Sequence, residues 1–112
     1  MTDRTFLNWP FFEDRHKALA EELEHWASEN LAGIDHSNVD ESCRRLVAEL
    51  GAAGWTQHSG AGAGEVLDVR SLCLICETLA RHDGLADFVF AMQGLGTGAI
   101  SLFGSPGQQE RW

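Results

Sequence analysis

The sequence predicts an all-α domain in which about four to six helices pack in an orthogonal or bundle-like arrangement. Apolar residues recur at helical spacing in several long segments, and Gly, Pro, Asp and Ser mark the positions where such segments begin and end. No segment of convincing length alternates apolar and polar residues with the period of a strand. A chain of 112 residues, 44% hydrophobic and 22% charged, has the length and composition of a single globular domain.

The first predicted helix covers about residues 10–32. Pro10 suits a first helical turn, where its missing N–H costs little, and Gly33 is a suitable end. The residues of its apolar face are Phe12, Leu19, Leu23, Trp26, Ala27 and Leu31. A second helix is predicted to begin with Asp40 as its N-cap, because a side-chain oxygen at this position accepts a hydrogen bond from the first turn.

Glycines separate the second predicted helix from the third. Gly51 and Gly54 are expected to end the second helix, and the glycine-rich residues 56–64 are predicted to form an irregular loop. The third helix is predicted over about residues 68–81, and its nearly continuous apolar character indicates a helix buried on all sides. The apolar residues are Leu72, Leu74, Ile75, Cys76 and Leu79.

The fourth predicted helix, about residues 85–103, is apolar on most sides and carries no Lys or Arg, so we expect other protein to cover it. Three glycines lie inside it, namely Gly94, Gly96 and Gly98. Each costs about 0.5–1 kcal/mol relative to Ala, which indicates close approach of another backbone or of a ligand. A last helix is predicted to begin with a capping box formed by Ser105 and Gln108, with Pro106 at its first position.

The charge balance disfavours several classes of partner. The net charge is −9, from eight Lys and Arg against 17 Asp and Glu, and no basic run exists. Nucleic acids and anionic membrane surfaces attract Lys and Arg, so neither is an expected partner. No run of 18 apolar residues predicts a transmembrane helix. The N-terminus lacks the pattern of a secretion signal and the three cysteines form no disulfide framework, which favours a cytoplasmic protein.

No motif in the chain predicts catalysis or metal binding. Cys73 and Cys76 form a Cys-x-x-Cys pair within a helical pattern, where buried small apolar side chains are the favoured interpretation. A zinc site would need two further ligands with suitable spacing. The glycines at 60–64 lack the Lys-Ser/Thr of a phosphate-binding loop and follow no predicted strand.

Three sequence blocks, taken in order, resemble the N-terminal domain of the acyl-CoA dehydrogenase family. Residues 49–55 (ELGAAGW) resemble the family's ELGxxGL turn, residues 74–83 (LICETLARHD) its xxxEELARxD helix, and residues 100–108 (ISLFGSPGQ) its IxxFGTEEQ segment. The family's PExxGG loop is replaced at residues 58–64 by Ser, Gly and Ala, and Met92 stands where a His is common. These departures indicate a divergent subgroup or an unusual substrate.

This resemblance implies a larger flavin-dependent oxidoreductase. In the family the N-terminal helical domain, here residues 1–112, precedes a middle β-domain and a C-terminal helical bundle, both absent from this sequence. FAD lies mainly against those two, and the catalytic carboxylate belongs to the C-terminal part. The parent would catalyse α,β-dehydrogenation of an acyl-CoA thioester as a homo-oligomer, whereas this chain alone would contain no catalytic residue and be inactive.

The resemblance also implies that the fourth helix forms one wall of the acyl pocket. The residues on its acyl-facing side would be Asp87, Phe88, Ala91, Gly94 and Leu95. The alternative is that these residues only pack against the absent domains. Two other functions remain open: a related flavoenzyme, such as an acyl-CoA oxidase, a nitroalkane oxidase or a flavin monooxygenase, and a non-enzymatic helical interaction domain.

Overall fold

The computed structural model describes residues 2–62 and 64–112, and over these residues the chain is helical with no strand. It contains five α-helices: α1 Asp14–Asn30, α2 Val39–Ala52, α3 Val69–His82, α4 Gly84–Phe103 and α5 Pro106–Arg111. Two short 3-10 helices are also present, Thr5–Asn8 and Trp55–Ser59. The prediction of an all-α fold of about four to six helices is therefore confirmed.

The start of α1 lies four residues beyond the predicted position. Pro10 occupies a turn in which the Phe12 N–H donates to the carbonyl of Trp9, 3.1 Å away. The helix begins after Glu13, whose backbone N–H donates to Nδ1 of His16 at 3.0 Å. The helix start that was predicted from Pro10 is therefore wrong. A capping box with His16 at the third helical position determines where α1 begins.

The other helix boundaries agree with their predictions to within one or two residues. Asn38, rather than Asp40, is the N-cap of α2 and accepts a hydrogen bond from the Glu41 N–H at 3.3 Å. The capping box of Ser105 and Gln108 at α5 is present as predicted. Helix ends were predicted well because these residue types satisfy backbone groups that the helix leaves unpaired.

Residues 56–64 are more regular than predicted. The 3-10 helix Trp55–Ser59 follows Gly54, whose φ of +84° is a left-handed conformation that glycine adopts without strain. Trp55 is buried and holds this turn against the core. The Gly- and Ala-rich continuation remains irregular as far as Gly62, and Ala63 lies outside the described residues.

One apolar core joins α1, α2, α3 and the first half of α4. Its buried members are Leu23, Ala27, Leu31, Ile34, Leu46, Leu50, Trp55, Ile75, Leu79, Ala86, Val89 and Phe90. The prediction that α3 is buried on all sides is wrong, because Cys73 and Ala80 are exposed while Ile75 and Leu79 face the core. The apolar composition of α3 did not indicate that one face of the helix is exposed.

The long helix α4 is buried on only one side. Its core residues lie near its beginning, whereas Phe88, Leu95 and Phe103 are exposed. By length and composition α4 could cross a membrane, although the sequence has no unbroken run of 18 apolar residues, and only 17% of the apolar window is buried. A single such helix is weak evidence, because helices of soluble proteins pass the same test.

An ionic cluster joins α1 to the end of α3. Oε2 of Glu24 lies 2.7 Å from Nη2 of Arg81, and Oε1 lies 3.0 Å from Nε2 of His82. The hydrogen bond from Arg81 is the main reason that the pKa of Glu24 falls to about 2; burial opposes the shift and His82 adds to it. The ionised form of Glu24 therefore stabilises the folded chain.

We expect Glu24→Gln to remove part of the acid sensitivity of the fold. Because the folded-state pKa is lowered, the contribution of Glu24 is present above its ordinary pKa of 4.5 and is lost as the pH falls towards 2. The expected contribution is about 1–2 kcal/mol after allowance for solvent screening. Urea unfolding at pH 6 and pH 3 measures it, with exposed Glu22→Gln as the control; equal pH dependence in both variants would refute the assignment.

Candidate functional site

A single residue, Asp83, connects α3 to α4. One carboxylate oxygen, Oδ1, accepts hydrogen bonds from the N–H groups of Leu85 and Ala86, at 2.8 and 3.4 Å. The other oxygen, Oδ2, lies 2.8 Å from Nε2 of His36. The same side chain therefore caps α4 and ties the α3–α4 junction to the α1–α2 connection, which holds the two helices that shape the candidate site.

An apolar groove of about 240 Å³ runs along α4. Leu72 and Cys76 of α3, together with Leu67, form one wall, and residues 59–61 form the other. The residues contributed by α4 are Phe90, Ala91, Gly94, Leu95, Gly98, Ser101 and Leu102. A groove with this lining can take a hydrocarbon chain or an apolar side chain, because both would lose contact with water there.

Gly94 allows the 59–61 wall to lie against α4. A Cβ at Gly94 would lie 3.3 Å from the carbonyl oxygen of Ser59, whereas a Cβ at Gly96 or Gly98 would meet nothing within 4 Å. The predicted close approach of another backbone is thus confirmed at Gly94. Gly98 instead leaves open space in the groove, and Gly96 is exposed away from it.

The same wall contacts α4 a second time at Gly60. A Cβ there would lie 3.1 Å from Oγ of Ser101 and 3.4 Å from Oγ1 of Thr97. Contacts this tight leave little room for a side chain at position 60. The short segment 59–61 is therefore fitted to two places on α4 by backbone and glycine contacts.

The structure brings together three of the five predicted acyl-pocket residues. Ala91, Gly94 and Leu95 line the groove, and Leu95 is 71% exposed. Phe88 does not line it and is 56% exposed. Asp87 does not line it either, but its helical position is one turn before Ala91, on the same face. The substrate-binding role of all five residues stays a prediction.

On the α3 side, the groove is lined by the thiol of Cys76, which is protonated at neutral pH. Burial raises the pKa of Cys76 to about 11, and the negative charge of Asp87 adds to the shift. A thiol with so high a pKa carries almost no thiolate at neutral pH and is a poor nucleophile. Oδ1 of Asp87 is buried and finds no hydrogen-bond partner among the side chains and backbone groups of residues 2–62 and 64–112.

Cys73 and Cys76 are free thiols in different environments. Cys76 is half-buried in the groove wall, as an apolar side chain would be, but Cys73 is exposed, so the prediction that both are buried is wrong for Cys73. Within the described part of the chain, no three His, Cys, Asp or Glu side chains are grouped as metal ligands.

Sequence reasoning missed most of the groove walls. The missed residues are Ser59, Gly60, Ala61, Leu67, Leu72, Cys76, Phe90, Gly98, Ser101 and Leu102. Helical spacing could have identified Gly98, Ser101 and Leu102, which continue the face of Gly94 at four, seven and eight residues further on. No sequence signal places residues 59–61 or Leu67 beside α4, because they lie outside the α-helices and no helical spacing relates them to α4.

The fold and the groove define a class of protein: a small all-helical domain whose last long helix lies beside an apolar ligand-sized cleft. Residues 13–112 match the family model described as acyl-CoA dehydrogenase, N-terminal domain. The match covers nearly all of the chain, and the chain belongs to this family. Comparison with curated proteins gives no match.

Proposed function

We propose that this chain is the N-terminal domain of an acyl-CoA dehydrogenase-type flavoenzyme and that its groove holds part of the acyl chain. The parent protein would introduce a double bond between the α and β carbons of an acyl-CoA thioester. Membership of the family supports the general class. The observation that carries the proposal further is the apolar groove lined by Ala91, Gly94 and Leu95.

The lining of the groove suits a hydrocarbon chain. It is built of aliphatic, aromatic and glycine surface, and Ser59, Cys76 and Ser101 supply its few polar side-chain atoms. Each methylene moved from water into such a site contributes about 0.8 kcal/mol. None of the described lining residues is charged, so the groove does not attract the phosphates of CoA.

The described lining of the groove offers no cationic side chain for the diphosphate of FAD. A dinucleotide diphosphate needs backbone N–H donors or cationic side chains, and the described groove lining contains no Lys, Arg or His. We assign FAD, on which the family generally depends, to parts of the parent outside this chain. The domain would contribute an apolar wall that excludes water from the acyl chain. Its partners would be the β-domain, the C-terminal bundle and further copies of the parent protein. The parent would be located in the cytoplasm.

A matched pair of glycine substitutions tests the acyl groove. Gly98→Leu would fill open space in the groove, whereas Gly96→Leu makes the same change at an exposed position on the same helix. Gly98→Leu should weaken octanoyl-CoA binding to the chain about tenfold or more, since it removes space for two or more methylenes. Gly96→Leu should leave the dissociation constant within about twofold, because it touches no lining residue.

Isothermal titration calorimetry measures both dissociation constants, and circular dichroism checks that both variants fold. Equal octanoyl-CoA affinity in the two variants, or no binding to the unchanged chain, would refute the acyl-groove proposal. The flavoenzyme part has a separate test, the absorbance spectrum of the complete gene product. Flavin bands are expected, and a folded, colourless product would contradict it.

A further inference from the structure

His16, in the first turn of α1, is wholly buried, and its two ring nitrogens have different partners. Nδ1 accepts a hydrogen bond from the backbone N–H of Glu13, the N-cap of α1, at 3.0 Å. Nε2 lies 3.2 Å from Oδ2 of Asp68, the N-cap of α3. Because Nδ1 is an acceptor, the neutral ring carries its proton on Nε2 and donates it to the carboxylate. One imidazole therefore connects the caps of two helices.

The chain before the α1 cap forms an N-terminal segment, residues 4–12, which precedes the part that matches the family. The ring of Phe12 packs edge-on against the imidazole of His16, with 6.0 Å between the ring centroids. Two other rings of this segment, Trp9 and Phe11, are exposed. The placement of these aromatic side chains relative to α1 therefore depends on the histidine and on the cap that it closes.

The charged groups around His16 keep their charge at mildly acidic pH. Among the described residues they are Glu13 and Arg15 at the start of α1, and Asp68 and Arg70 at the start of α3. Hydrogen bonds from Arg15 and Arg70 lower the pKa of Glu13. Partial burial would raise the pKa of Asp68, but its hydrogen bonds outweigh burial and keep that pKa well below its usual range. Since imidazole is the side chain that ordinarily changes charge between about pH 5 and 8, the histidine is the member of this cluster expected to gain a proton.

We propose that His16 is a pH-sensitive switch at the start of α1: the neutral ring closes the cap and the protonated ring opens it. The second proton binds at Nδ1, and the imidazolium is then a donor at both nitrogens. It still pairs with Asp68, but it no longer accepts from the N–H of Glu13. The Glu13 backbone must then rotate, and its carbonyl, which accepts from the N–H groups of His16 and Lys17 at 3.0 and 3.3 Å, moves with it. The cap is thus closed at neutral pH and opens as the pH falls through the titration of the ring.

The opening is confined to the start of α1. Nη1 of Arg70 donates to the carbonyl of Phe11 at 2.6 Å, and Nη2 of Arg4 donates to the carbonyl of Ala20 at 3.1 Å. Neither bond involves the histidine, so the N-terminal segment stays attached while the first turn of α1 loosens. Mild acidification would thereby change how the exposed rings of Trp9 and Phe11 are placed on the domain without unfolding its core. The inference goes beyond the proposed acyl groove and does not depend on it.

Hydrogen exchange of the Glu13 amide, followed by NMR in the unchanged chain, tests the switch. Its protection factor should fall about fivefold or more between about pH 8 and pH 5, the equivalent of one net hydrogen bond. The midpoint of this fall should coincide with that of the His16 ring resonances. Constant protection of the amide while the ring gains its proton would overturn the proposal, as would a ring that stays neutral down to pH 5.

His16→Gln separates the histidine from other titrating groups. Gln is a usual residue at the third position of a capping box, and its amide oxygen accepts from the Glu13 N–H at every pH. The variant should therefore keep its protection within about twofold over the same pH range. His25→Gln is the control, because it removes an exposed histidine of the same helix, and it should show the same fall as the unchanged chain. An equal fall in His16→Gln would also overturn the proposal; the comparison of midpoints in the unchanged chain is decisive if this variant does not fold.

Discussion

Replacing Phe90 by Ala should lower the free energy of unfolding by about 3–5 kcal/mol. The ring is 1% exposed and is among the largest fully buried side chains of the core. It lies at the place where α4 meets the apolar cluster of the other helices, so its removal leaves a cavity that rigid neighbours cannot fill. For a domain of this size, that loss is a large part of the total stability.

Phe88→Ala provides the matched control, because it makes the same chemical change two residues earlier on a side chain that is 56% exposed. It should cost less than about 1 kcal/mol. Urea unfolding followed by tryptophan fluorescence gives both values. If the two substitutions cost the same, the packing of α4 on the core described above is incorrect.

Asp68→Ala is expected to destabilise the fold by about 2–4 kcal/mol. Asp68 is the N-cap of α3, and its carboxylate also accepts from the hydroxyl of Ser71 at 2.7 Å and pairs with Arg15. Partial burial would raise the pKa of Asp68, but hydrogen bonds from Ser71 and Arg15 outweigh it and hold that pKa well below its usual range. The carboxylate is therefore ionised throughout the neutral range.

The cost of removing Asp68 includes a buried histidine. His16 is 0% exposed, and its Nδ1 accepts from the Glu13 N–H, so its proton is on Nε2, 3.2 Å from Oδ2 of Asp68. Without the carboxylate this N–H would be buried and unpaired. Thermal unfolding of Asp68→Ala against Asp14→Ala, an exposed acidic residue in the first turn of α1, separates this effect from simple charge loss. Similar melting temperatures would contradict the assigned role.

The sequence was sufficient to predict which segments form helices, but not which faces of those helices are buried. The capping residues Asp68, Asp83 and Ser105 satisfy local backbone groups, so their positions follow from neighbours along the chain. The predicted start of α1 was wrong because His16 completes the capping box there, whereas the usual pattern has Glu or Gln at this position. Which face of α3 is buried depends on helices distant in sequence, and its apolar composition carried no such information.

The candidate site shows the same division. Ala91, Gly94 and Leu95 lie on one helix face, so their grouping follows from helical periodicity once the family resemblance has identified the helix. The glycine at position 94 indicated a close contact, yet it could not indicate that the partner is the carbonyl of Ser59. The opposite walls come from segments brought to α4 by tertiary packing, which no local pattern records.

The single-residue link at Asp83 has a consequence for ligand affinity. Because α3 and α4 meet with no loop between them, the separation of Leu72 and Cys76 from the α4 surface is set before any ligand enters. On binding, a ligand that fits this spacing would lose conformational entropy of its own, but α3 and α4 would not have to become ordered around it. More of the free energy of its apolar contacts would then be retained as affinity, and we expect a branched or bulky ligand to bind less well than a straight one.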